Sequence, residues 1–198
     1  GGVYQREKHD AYCYSTRWPV EKLFLRTWIG ENAPIGIVHH NGFTSTNFEY
    51  LESQQDVQIL NGCNMAFRRD VVQAVGAFDP NYAGNGLFED ADFSYRVWKN
   101  GVRLVATPHL RLFHRGKPHI EYPHYPSYVY DFASNGVYFY FKSVYSDKPG
   151  RFLLFFTSRL YYALMMIGIA TLRWDIHYFT SYCRGLTDGL KRARSFLA

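Results

Sequence analysis

The chain has 198 residues, 47% of them hydrophobic and 20% charged, with a formal net charge of +5. That length suits one ordinary domain, and the apolar fraction excludes wholesale disorder and the collagen-like and low-complexity classes. Aromatics are the unusual class: 17 Tyr, 16 Phe and 4 Trp make 19% of the chain, a surplus suited to large buried contacts and to sugar or membrane surfaces.

Early residues mix charge and aromatics. Residues 20–29 read as a short helix that Gly30 ends, residues 31–56 as mostly loop, and residues 35–38 as a short strand within it. From Val57 the pattern sharpens. Residues 57–60 read as a strand broken at Asn61-Gly62, and residues 63–67 as a second extended piece. Arg68-Arg69-Asp70 opens a short helix that Gly76 should close in the left-handed conformation. A glycine loop, Ala83-Gly84-Asn85-Gly86, precedes a helix from Glu89 or Asp90 to Asn100. Phe93 and Val97 share one face of that helix, and Gly101 is its stop. Residues 102–107 read as a strand ended by Pro108, and residues 110–114 as another extended run. After a Pro- and His-rich connector, Ser127 should cap a helix to about Val144, Asp147-Lys148-Pro149 should start the next, and an amphipathic helix should cover 176–197 with a basic end.

Three cysteines, Cys13, Cys63 and Cys183, lie far apart and offer neither a disulfide framework nor a zinc spacing, which points to a reducing compartment. No apolar run follows a basic start, so no signal peptide is expected; the first residue is Gly, which points to a piece of a longer chain. The apolar run from Leu160 to Leu172 is shorter than the roughly 20 residues a spanning helix needs. Extending it back to Phe152 places Arg159 inside the span, so an interfacial or buried helix is the preferred reading.

Glu89, Asp90 and Asp92 put three carboxylates at a helix start, directly after the glycine loop. The plain role for such residues is capping against the positive end of the helix dipole. The sharper role is a general base fixed at the mouth of a cleft. His109 and His114 fall on opposite faces of an extended run and do not chelate one ion together. Arg68 can bind a phosphate, although pairing with Asp70 is the simpler expectation.

Three blocks then stand in order: Gly62-Cys63-Asn64-Met65-Ala66-Phe67-Arg68-Arg69, Val75-Gly76-Ala77-Phe78-Asp79, and Glu89-Asp90-Ala91-Asp92-Phe93-Ser94-Tyr95-Arg96 followed by Asn100-Gly101. In residues and in intervals they resemble the second half of a family 2 glycosyltransferase with the GT-A fold. The likeness covers residues 57–114, and more weakly 135–142 and 184–190. It implies an α/β fold: a partial Rossmann-like GT-A domain, the acceptor-side half, over residues 1–126, then a helical C-terminal region over 127–198 that contacts a membrane in some versions of the reading.

The resemblance implies an inverting transferase that moves a sugar from a nucleotide-sugar donor to a saccharide or lipid-linked acceptor, as in polysaccharide biosynthesis. Asp90 would be the general base and Glu89 would bind the acceptor or orient the base. Gly62, Cys63 and Asn64 would line the floor near the donor sugar; Asp92 would support the helix start and, with Arg68, stand on the substrate side. His114 would be a metal or diphosphate contact for Mg²⁺ or Mn²⁺ beside ligands from the family's first half, which has no counterpart in this chain, so the chain alone is expected to be incomplete and inactive as a transferase. A cytoplasmic location is expected, with the inner face of the membrane as an alternative placement within it. The competing reading is a non-catalytic peripheral membrane or partner-binding module built on the basic, aromatic C-terminal helices. Nucleic-acid binding lacks both a motif and a dense basic stripe.

Overall fold

A computed structural model describes residues 2–6, 34–114, 125–145 and 151–197. The expected helix at 20–29 and the expected start at 147–149 lie outside those residues. The chain divides into two units. The first comprises 1–38, 44–78 and 90–121; the second comprises 39–43, 79–89 and 122–198.

The first unit is built on a three-stranded sheet of order β1 (Gly2–Arg6), β5 (Leu104–His114), β4 (Gln55–Val57), with β1 parallel and β4 antiparallel to β5. A separate two-stranded hairpin pairs β2 (Ile37–Val38) with β3 (Thr44–Ser45). Among the described residues the unit also holds a 3-10 turn at Phe48–Tyr50 and two α-helices, α1 (Arg69–Val75) and α2 (Glu89–Lys99), the latter from Asp90 onward. The i, i+4 pair expected on α2, Phe93 and Val97, is buried in a core with Phe48, Val57, Leu60 and Leu104. Phe93 stacks on Phe78 at 4.7 Å and takes Phe67 edge-on at 4.8 Å, so three rings close the contact around α2. Arg96 joins α2 to the end of α1: its guanidinium donates to Asp92 and to the carbonyls of Val75 and Ala77.

Several strand expectations are corrected here. The strand runs 55–57 rather than 57–60, because the N–H groups of Gln58 and Ile59 both go to the Gly36 carbonyl instead of to a neighbouring strand. That junction is tight: Gly36 has φ +64, and a Cβ there would meet Val57 at 2.6 Å. Residues 63–67 form a turn followed by irregular chain, not an extended pair. Residues 104–114 are one strand, not two runs split at Pro108. Register against β1 jumps between Gly2↔Thr107 and Val3↔Arg111, while β4 pairs only with 104–106. Pro108 therefore sits in a bulge, where its missing N–H removes no ladder bond. Gly76 does have positive φ, but with ψ 169 it occupies a glycine-only extended region rather than the left-handed helical one.

The second unit is helical: α3 (Pro126–Phe139), a π-helical turn at Tyr140–Val144, α4 (Phe152–Arg173) and α5 (His177–Ala193). Ser127 is not the cap of α3. Tyr125 holds that position and Pro126 takes the first helical turn, where a residue lacking N–H is tolerated. Gly185 and Gly189 let α5 meet α3 closely: added Cβ atoms would lie 2.6 Å from the Tyr130 carbonyl and 2.5 Å from the Ser134 carbonyl. Segment 79–89 is stitched to the helices by polar contacts. The Asn135 side chain, fully buried, both accepts from the Ala83 N–H and donates to its carbonyl. Asp79 accepts from Lys142 at 2.6 Å and from the Tyr138 hydroxyl at 2.8 Å. Arg192 donates to the Asn81 carbonyl, Ser134 and Asn135.

Candidate functional site

The turn at 61–64 is the starting point. Asn61 closes it twice: its side-chain oxygen accepts from the Cys63 N–H at 3.0 Å and its carbonyl from the Asn64 N–H at 3.0 Å. The Asn64 amide then donates to the Leu110 carbonyl at 3.0 Å, which pins the turn to β5. On its other side the Gly62 N–H donates to Asp90 Oδ2 at 2.7 Å. Asp90 Oδ1 accepts from the Ala91 N–H at 2.8 Å, so the carboxylate also caps the first turn of its own helix. A side chain at 62 would crowd this contact, since a Cβ would stand 3.3 Å from Asp90 Oδ2.

Each Asp90 oxygen thus accepts from one neighbouring backbone N–H, and a carboxylate oxygen can accept more than one donor. Burial pushes the Asp90 carboxyl above its ordinary value; the N–H groups of Gly62, Ala91 and Asp90 itself oppose that shift without cancelling it. A rigid, half-buried carboxylate with a raised pKa is well suited to taking a proton from a hydroxyl near neutral pH. The backbone just before α2 is strained as well: Phe88 has φ +72, a conformation bulky residues rarely adopt, and its ring is buried against Phe132 and Phe139.

The structure brings Gly62, Cys63, Asn64 and Asp90 together and leaves the other expected residues elsewhere. Asp92 is fully buried and accepts from Arg96 at 3.0 Å. It anchors α2 and does not present its carboxylate to a substrate. Arg68 is exposed and paired with Asp70 at 2.5 Å, the simpler of its two expected roles. Glu89 is exposed, with its carboxylate over Gly86, whose added Cβ would lie 2.9 Å from it. His114 ends β5 opposite Arg6, and its side chain lies outside the described residues.

Among the described residues no three His, Cys, Asp or Glu side chains converge. Asp90 offers a single carboxylate and the His114 side chain lies outside the described residues, so no step below is routed through Mg²⁺ or Mn²⁺. Sequence reasoning missed Asn61 as a site residue. Its Asn-Gly dipeptide signalled a turn but not that the turn would be tied to a strand 46 residues further on. No family model, curated protein or solved structure matches the chain.

Proposed function

We propose that this chain is the acceptor-side part of an inverting glycosyltransferase of the GT-A type, with Asp90 as the general base. The observation that carries the reading is the Asp90 carboxylate. It is half-buried, raised in pKa, held at the start of α2 and tied to the Gly62 turn, whose residues belong to the motif set that resembles family 2.

In this reading an acceptor sugar hydroxyl donates a hydrogen bond to the Asp90 carboxylate. As the hydroxyl oxygen bonds to the anomeric carbon of the donor, its proton passes to the carboxylate. The bond from that carbon to the nucleoside diphosphate breaks on the opposite face, and the configuration inverts. A positioned carboxylate contributes about 10²–10⁴-fold to such a step. Gly62, Cys63 and Asn64 form the floor beside the base, and their pinned turn keeps the reacting oxygen and the carboxylate in register.

The test is nucleoside diphosphate release from UDP-, GDP- and dTDP-sugars offered with saccharide and lipid-linked acceptors, using the whole transferase of this reading, with its donor-binding half, and its Asp90→Asn variant. Acceptor-dependent release that the variant loses supports the proposal. Wild-type release rates in the variant refute the role of Asp90.

A further inference from the structure

Helix α4 has two different faces. Phe155, Arg159, Met166 and Ala170 point inward, and the last two pack against Tyr178 and Tyr182 of α5 and Val129 and Ala133 of α3. The opposite face, with Leu153, Phe156, Leu160, Leu164 and Ile167 at helical spacing, is 45–69% exposed at every one of these positions. Over an 18-residue window the helix has a mean hydropathy of 1.6 with only 17% of the window buried, so it is not the core helix of its unit.

The charge that interrupts this helix in sequence does not interrupt its outer face. Arg159 is 4% exposed, with its guanidinium 4.3 Å from the centre of the Phe43 ring and 4.9 Å from that of Phe155. The outer hydroxyls are closed internally as well: Thr157 donates to the Leu153 carbonyl and Thr171 to the Ile167 carbonyl. Cationic residues stand at both ends: Arg151 before the helix, half-buried with one guanidinium nitrogen enclosed, and the exposed Arg173 in its last turn, followed by Trp174, which is 96% exposed.

We propose that α4 docks in the plane of an anionic phospholipid bilayer, with its Leu153–Ile167 face in the acyl boundary and Arg151, Arg173 and Trp174 at the headgroup level. An uncharged aliphatic stripe bounded by cations and an aromatic matches a bilayer interface. A protein partner would meet a surface richer in polar contacts and hydrogen bonds. The helix lies in the plane rather than across it because its inner face is already occupied by α5. Crossing would carry the exposed Arg184 and Lys191 of α5 toward hydrocarbon. This proposal stands on α4 alone and is independent of the transferase reading.

The test is flotation of the intact protein with sealed vesicles of phosphatidylcholine containing phosphatidylglycerol, and with phosphatidylcholine alone. Binding should be stronger to the anionic vesicles and should fall at least tenfold in the double variant Leu160→Glu/Leu164→Glu, whose far-ultraviolet spectrum and melting should match wild type because both positions are solvent-facing. In a background with the three cysteines changed to Ser, Arg151→Cys and Trp174→Cys should both react with a membrane-impermeant maleimide added outside the vesicles. Failure of the wild type to float overturns the proposal, as does flotation of the double variant equal to wild type. Protection of one end and not the other overturns the in-plane orientation in favour of a span. A dimer in sedimentation that the double variant converts to monomer, without vesicle binding by either, assigns the face to a second copy of the chain instead.

Discussion

Replacing Asp90 by two different residues separates its tethering role from its chemical one. Asp90→Ala removes the acceptor of both the Gly62 and the Ala91 N–H. At about 0.5–1.5 kcal/mol net per bond the loss is about 1–3 kcal/mol. For a chain of this length each kcal/mol lowers Tm by about 2–4 °C. Asp90→Asn keeps a carbonyl oxygen for Gly62 and gives up one bond, about 1 kcal/mol. It also removes an ionised group that burial disfavours. The two changes oppose each other, so the Asn variant should melt within about 4 °C of wild type.

The sign of the pH dependence follows. The folded-state pKa of Asp90 lies above its unfolded value, so the ionised group weighs against folding at pH above the folded pKa, and that penalty fades as the pH falls through it. Relative to Asp90→Asn, the wild type should therefore gain stability on acidification. The same shift places the acid limb of the transfer rate above the ordinary carboxylate pKa of about 3.9. Thermal melts of the three proteins at neutral and mildly acidic pH, with nucleoside diphosphate release measured in parallel, check all of this. Both variants remove the buried charge, so an Ala variant as stable as the Asn variant would refute the tether. An Asn variant that turns over like wild type would refute the base, and a stability gap insensitive to pH would refute the raised pKa.

Other perturbations probe the second unit. Burial raises the Asp79 pKa, but Lys142, the Asn81 N–H and the Tyr138 hydroxyl lower it by more, leaving the carboxyl well below its usual range. Asp79→Asn should cost about 3 kcal/mol in urea unfolding at neutral pH, because it leaves a largely buried ammonium without its counter-charge. A depressed folded pKa means stability that is present above the unfolded value, so this difference should begin to close below about pH 4. Gly189→Ala should lower stability by about 1–3 kcal/mol, since the methyl meets the Ser134 carbonyl and the Val137 side chain and must push α5 from α3; an unchanged melt would contradict that close approach. Arg159→Met should leave stability unchanged or raise it, because none of the three guanidinium nitrogens has a hydrogen-bond partner and Met fills the space between the rings of Phe43 and Phe155. A fall of more than about 1 kcal/mol would show that the guanidinium contributes more than packing there.

Much of the helical framework was legible because its signals are local. The Phe93/Val97 pair, the Gly101 stop and the apolar run of α4 are read within one or two turns of chain, and each stands where its spacing placed it. The expected Arg68–Asp70 pair is likewise a contact between near neighbours. Strand limits were not legible in the same way. Residues 58–60 have strand-like side chains, yet their fate turned on the carbonyl of Gly36, more than 20 positions earlier, and Pro108 was tolerated because β1 and β4 leave a gap beside it. Asp92 and Asp90 look equivalent in the sequence, two residues apart. Their rotation about α2 turns one onto Arg96 in the interior and the other onto the Gly62 turn.

By itself, then, the sequence determined which segments coil, where the carboxylates stand along α2, and that an apolar helix bounded by arginines follows the connector. Tertiary structure alone decided which carboxylate meets the 61–64 turn, that Asn64 ties that turn to Leu110, and that Arg159 faces inward to leave the outer face of α4 uncharged. The physical reason is the range of the interactions. Helix periodicity and caps depend on residues within about four positions of one another. The Asp90–Gly62 and Asn64–Leu110 bonds join residues 28 and 46 apart, and their partners are set only when the chain has folded back on itself.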